Sequence, residues 1–190
     1  MILLVIGLVV FLGVHSVSIV APAWRDAQVA RRGEYVWKGL YALASIVGFV
    51  LLIRGYGLAQ QSPVALYTPP AGLRIAALVL MVPAFPLLLS AYLPGRIKTV
   101  ARHPMLLAVT LWALAHLLVN GTVAGVLLFG GFLVWSVIDR LSFSQRTPRP
   151  VRGAPPSAVN DAIAVLAGLA LYVAFLLWAH RWLTGVSPMA

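Results

Sequence analysis

Apolar residues in this chain fall in long, nearly unbroken runs, not in the stripe of a helix with one wet face. A bilayer core of about 30 Å takes about 20 helical residues. Six runs have that character, over about 2–21, 38–54, 73–92, 104–119, 122–139 and 160–181. They predict an all-α fold, a polytopic transmembrane helical bundle of six spans. Five is the alternative if one of the fourth and fifth runs is re-entrant, since both are short and only Asn120-Gly121-Thr122 separates them. That tripeptide predicts a tight turn. Ala21-Pro22-Ala23 has the look of a signal cleavage site. No Lys or Arg precedes it, however, and the run from Ile2 is too long for a signal segment, so a retained span is expected.

The polar stretches between the runs predict connections. Residues 57–72, with Pro63, Pro69 and Pro70, read as an outer loop, and the basic, proline-rich stretch of about 145–158 reads as a flexible linker to the last span. The whole chain reads as a single transmembrane domain. Pro83 and Pro86 each remove a backbone donor inside the third run and predict a kink. Gly121 and Gly125, with Gly130-Gly131 beyond, suggest close helix packing. No internal repeat is visible, which argues against an inverted-repeat transporter.

Composition sharpens this picture. The 190 residues are 62% hydrophobic and 9% charged, with mean hydropathy +0.97, whereas globular domains carry about a quarter charged residues. The absence of cysteine excludes disulfides, thiolate metal sites and a cysteine nucleophile. A net charge of +10 invites a nucleic-acid reading, but the distribution argues against it. Arg25, Arg31, Arg32, Lys38, Arg96, Lys98, Arg102, Arg140, Arg146, Arg149 and Arg152 fall on one side of the six-span arrangement, leaving Arg54, Arg74 and Arg181 opposite. The positive-inside rule makes the first side cytoplasmic and puts both termini outside. The basic residues then serve as orientation signals and contacts to anionic membrane lipids. Trp24, Trp37 and Trp135 near inner ends, with Trp178 and Trp182 near an outer one, agree with an interfacial belt.

Candidate chemistry rests on histidine. An ionisable group at membrane depth is a functional candidate, and a neutral imidazole ligates metal without carrying charge. His15 lies in the first run, and His116 lies twelve residues past Pro104, about 18 Å along a helix. Together they are the candidate axial ligands of a haem iron. His15 is about 9 Å from the inner end of its span, so a shared haem is expected to tilt. Ser18 is the expected acceptor for the His15 ring, and Asn120 lies one turn beyond His116. Small Ala113 and Trp112 are the expected pocket wall. Arg102 and His103, before Pro104 at a helix start, are candidates for a haem propionate or another anion, and His103 is the other candidate iron ligand. His180, beside Arg181 and Trp182, reads as an interfacial residue. No Ser/His/Asp set or paired carboxylate lies at depth, so hydrolase and glycosidase chemistry lack their groups. A zinc hydrolase would want a third ligand, whereas haem needs one or two imidazoles.

Four segments, taken in order, resemble the NnrU family over about residues 1–145: Gly13-Val14-His15-Ser16, Arg102-His103-Pro104, Leu111-Trp112-Ala113-Leu114-Ala115-His116 and Val137-Ile138-Asp139-Arg140. The last span is less diagnostic. The family is named for a link to nitrite and nitric oxide metabolism in denitrifying bacteria. Its relative, the plant 15-cis-zeta-carotene isomerase, is a membrane haem b enzyme whose iron takes two histidines in one redox state. The resemblance implies haem b held by His15 and His116. Ala113 stands where the isomerase exchanges a histidine for a cysteine, so that exchange is not implied here. Arg-His-Pro is shared with membrane methyltransferases, but Ser142-Phe143-Ser144-Gln145-Arg146 lacks their later glutamates, which ranks that reading last.

Two readings follow. The first is a multi-pass protein of the bacterial inner membrane that binds haem, acting in nitrogen-oxide metabolism or isomerising an apolar polyene or isoprenoid substrate. The second is a non-enzymatic accessory protein for a respiratory nitrite or nitric oxide reductase.

Overall fold

The computed structural model describes residues 1–146 and 153–189. Its helices are α1 (Ile2–Val20), α2 (Pro22–Arg32), α3 (Glu34–Ala59), α4 (Leu73–Met81), α5 (Ala84–Ser90), α6 (Arg96–Ala101), α7 (Pro104–Val119), α8 (Val123–Ser142) and α9 (Val159–Ala174). A turn of π-helix over Phe175–Ala179 joins α9 to α10 (His180–Thr184). The fold is all-α. Among the described residues the extended pairing is the single bridge between Ala65 and Thr122. Five stretches are long and apolar enough to cross a membrane: Ile2–Val20, Glu34–Ala59, Leu73–Ser90, Val123–Ser142 and Val159–Thr184. Helix α7, the fourth expected span, has 16 residues and reaches about 24 Å at 1.5 Å per residue.

The chain forms two compact units, Met1–Thr68 with Asn120–Pro148, and Pro69–Val119 with Arg149–Ala190. Unit one packs α1 against α3 and α8 around Leu4, Leu52, Ala59 and Ala124. Its tightest contact is between α1 and α3. A Cβ on Gly7 would lie 2.6 Å from the Leu52 nitrogen, and one on Gly48 would lie 2.8 Å from the Phe11 nitrogen. One on Gly55 would run into the Leu4 backbone. Backbones therefore meet where only glycine fits, the usual route to dispersion energy where lipid offers no hydrophobic drive. Gly121 and Gly125, the pair expected to pack helices, do something else. Gly121 lies against the Tyr67 carbonyl, and Gly125 sits in the cap of its own helix, its amide donating to Thr122 Oγ1 at 3.0 Å.

Two connections expected as loops are helical. Helix α2 starts at Pro22, whose missing amide breaks the α1 ladder and suits the first turn of a new helix. It buries no residue completely and sets Trp24 edge-on to Trp37 at 5.8 Å, as an interfacial helix does. The other is α6.

Unit two is lined by small residues: Ala77, Ala84, Ala91, Ala108, Ala113, Ala115 and Ala164 are buried. The expected kink falls between α4 and α5. Pro83 has no amide for the Val79 carbonyl, so the Val82 amide turns to it at 3.2 Å. That shift strips the Leu78 carbonyl of its own partner, and the Tyr172 hydroxyl of α9 donates to it at 3.1 Å. The carbonyls freed by Pro83 are thus both satisfied. Below the kink, Gly168 admits the Pro86 ring where a Cβ would lie 2.5 Å from the proline nitrogen.

The expected linker divides. Arg149 and Arg152 lie outside the described residues, but 153–158 is tied down. The Ala154 amide donates to Tyr92 at 2.9 Å, and the Ser157 amide to Pro94 at 3.1 Å. Buried Asn160 donates to the Pro94 and Pro155 carbonyls at 2.8 and 2.9 Å. The Asp161 carboxylate accepts from the Arg96 and Ile97 amides at 2.8 and 3.0 Å, which is why the six-residue α6 has a defined start.

Candidate functional site

His15 belongs to unit one and His116 to unit two. Each helix poses its imidazole in the same way. Nδ1 of His15 donates to the Phe11 carbonyl at 2.7 Å, and Nδ1 of His116 donates to the Trp112 carbonyl at 2.8 Å. A carbonyl only accepts, so Nδ1 carries the proton and the lone pair of the neutral ring sits on Nε2. The anchor of the His15 ring is thus its own helix backbone, where Ser18 was the expected acceptor. This donor set suits a metal that takes one or two imidazoles. Among the described residues no group of three His, Cys, Asp or Glu could hold a metal ion, so a chelated zinc centre has no support there.

The surroundings of the two rings differ. His15 stands among Phe11 at 4.2 Å, Tyr41 at 5.2 Å and Trp135 at 5.9 Å between ring centroids. The indole N–H of Trp135 is buried without a hydrogen-bond partner among the described residues. One turn beyond Trp135, Asp139 pairs with Arg146. His116 has Trp112 at 5.2 Å and, unexpectedly, the ring of His180 at 6.2 Å with the planes 27° apart. Ala113 is fully buried in the packing of α7.

Arg102 and His103 lie at the start of α7. The His103 amide donates to the Ala101 carbonyl at 2.6 Å across Arg102, whose φ of 60° and ψ of −51° lie where side chains are strained. This is the positive-φ γ-turn, rare because it is strained. Pro104 restricts the neighbouring His103 from the helical conformation, so α6 does not run straight on into α7. Arg102 is exposed and His103 half-buried. The twelve residues to His116 span about 18 Å of helix.

An apolar groove of about 600 Å³ runs between α1 and α8 inside unit one, with Leu8, Leu12, Gly130, Gly131 and Trp135 in its walls. It lies in the other unit from Trp112 and Ala113, the expected pocket wall.

Sequence reasoning overlooked His180. No spacing links it to residue 116, and its position depends on a π-turn, which leaves no mark in the apolar pattern.

Long apolar helices, lipid-suited outer faces such as Leu43, Ile46, Phe49 and Ile53 of α3, and histidines at depth define a polytopic all-α membrane protein. The chain belongs to the NnrU family, matching the description NnrU protein over residues 3–188. The match runs past residue 145 and takes in the last helix with His180. No curated protein and no solved structure matches the chain.

Proposed function

We propose that this NnrU-family protein is a bacterial inner-membrane b-haem protein, with His116 as an axial ligand of the iron. The observation that carries the reading is the Nδ1–H anchoring of an intramembrane imidazole to its own helix, 2.8 Å from the Trp112 carbonyl. That bond sets the tautomer and ring orientation that metal-ligating histidines need. The resemblance assigns the second axial position to His15, which is anchored in the same way. Bound haem would supply electron transfer or redox-dependent activation of a substrate. The exposed guanidinium of Arg102 and the half-buried His103 suit a propionate or another anion.

The reaction we favour is isomerisation of an apolar polyene or isoprenoid lipid, because a groove of about 600 Å³ with almost wholly apolar walls is available in unit one. Pockets for small molecules fall in about that size range. Electron transfer in nitrogen-oxide metabolism is the other use of the same cofactor. The basic residues orient the protein with both termini outside.

Absorption spectra of the detergent-purified chain, oxidised and dithionite-reduced, test the reading. A Soret band that shifts on reduction is expected. Without one the haem reading ends, and a respiratory-reductase accessory role takes its place. Cell-free conversion of a cis polyene separates isomerisation from electron transfer.

A further inference from the structure

We propose that unit two carries a binding site for one anionic phospholipid, its phosphate held in a pocket between α6 and the start of α9. The pocket has a volume of about 730 Å³, with Pro94, Arg96, Lys98, Val100, Pro156 and Ser157 among its walls. It lies where two apolar spans end, just past Leu73–Ser90 and just before Val159–Thr184. That is headgroup depth, on the side that the basic residues make cytoplasmic. Basic pockets between membrane helices on that side bind phosphate headgroups.

The polar groups of the pocket suit an anion. Among the described residues neither the Arg96 guanidinium nor the Lys98 ammonium has an ion-pair partner. Lys98 Nζ donates to the Ala91 carbonyl at 2.7 Å and keeps two protons to give. Asp161 pairs with neither cation. Its two oxygens accept from the Arg96 and Ile97 amides, which ties α6 to α9 and holds the two sides of the pocket together. Ser157 Oγ accepts from the Val159 amide at 3.3 Å, so its own proton is left for an acceptor. An apolar track follows. Val159, Ile163 and Leu166 stand at i, i+4 and i+7 on one face of α9, and all three are exposed. This stripe starts beside Ala158 in the pocket wall and runs into the span, the course of an acyl chain. A phospholipid uses the cations and the stripe together, whereas a free phosphate would use the cations alone.

The test titrates the detergent-solubilised full chain with phosphatidylglycerol and counts bound lipid by native mass spectrometry. One tightly held lipid per chain is expected. Arg96→Gln with Lys98→Gln should weaken it about 30-fold, two basic residues being worth about fivefold each at an anionic surface. Arg31→Gln with Arg32→Gln removes the same charge from α2 of unit one and should leave binding unchanged. Equal losses in the two double variants would reduce the binding to diffuse charge attraction and overturn the proposal. Phosphatidylcholine bound as tightly as phosphatidylglycerol would overturn it too, as would inorganic phosphate that displaces the lipid at equal concentration. Hydrogen exchange in the wild type needs no variant to fold. Phosphatidylglycerol, compared with phosphatidylcholine, should slow exchange at residues 96–99 and 157–159 and not in α2, and unchanged exchange there also overturns the proposal.

Discussion

His15 and His116 occupy equivalent places in their helices and differ in company. Both lie within apolar helices, and both anchor Nδ1 to the carbonyl four residues back. In unit one that ring is set among Phe11, Tyr41 and Trp135. In unit two the neighbours of His116 include Trp112 and the imidazole of His180. The shared bond gives both rings the tautomer that a metal ligand needs, and it does not by itself choose between them. The described ring contacts differ: Phe11, Tyr41 and Trp135 lie near His15, and Trp112 and the His180 imidazole lie near His116.

The largest effect that sharpens this contrast is expected from His116→Ala. Haem content of the purified protein should fall by more than the 10- to 100-fold typical of losing an outer-shell partner, on the order of 100-fold or beyond. Equal haem content in variant and wild type, measured by pyridine haemochrome, would show that unit two holds no iron.

Next comes Gly55→Leu in unit one. Its side chain would collide with the Leu4 backbone, so overpacking should cost about 1–3 kcal/mol. A thermal unfolding curve in detergent with an unchanged midpoint would contradict the α1–α3 contact. Soret intensity per folded molecule should survive if the iron belongs to unit two.

Arg102→Gly should act in the opposite direction. Releasing a positive-φ residue recovers about 1–3 kcal/mol, against about 0.5–1 kcal/mol for the added chain freedom of glycine. A net gain of about 1 kcal/mol in stability is expected, together with weaker haem retention if the guanidinium holds an anion. A lower midpoint would refute the strain argument.

The smallest effect is expected from Asp161→Ala. It removes the acceptor for the Arg96 and Ile97 amides and should cost about 1 kcal/mol. Hydrogen exchange should speed up at those two amides and not in unit one.

The spans, the Pro83 kink and the start of α7 at Pro104 were legible in the sequence, since each follows from hydropathy or from a missing amide. Helices α2 and α6 were not, because short basic segments carry the composition of loops whether or not they coil. The glycine pattern misled at Gly121 and Gly125, for a small residue shows that contact is possible and not which helix supplies it. Gly7, Gly48 and Gly55 are recognisable only once α1 and α3 are paired. The candidate histidines were visible as polar interruptions of apolar runs, whereas the His116–His180 neighbourhood arises from a π-turn and a left-handed glycine. Both act on direction and leave hydropathy untouched.

The threading of the two units governs how this protein is born. Unit one waits for α8, which the ribosome makes after α4, α5 and α7; unit two waits for α9, which emerges later still. A nascent chain must therefore carry α4, α5 and α7 without Gly168 or Tyr172 until translation is nearly over. A stop codon after Gln145 spares every helix of unit one and leaves α4, α5 and α7 without α9, the helix that supplies Gly168 to Pro86 and the Tyr172 hydroxyl to Leu78, so unit two closes only with synthesis of the last thirty or so residues.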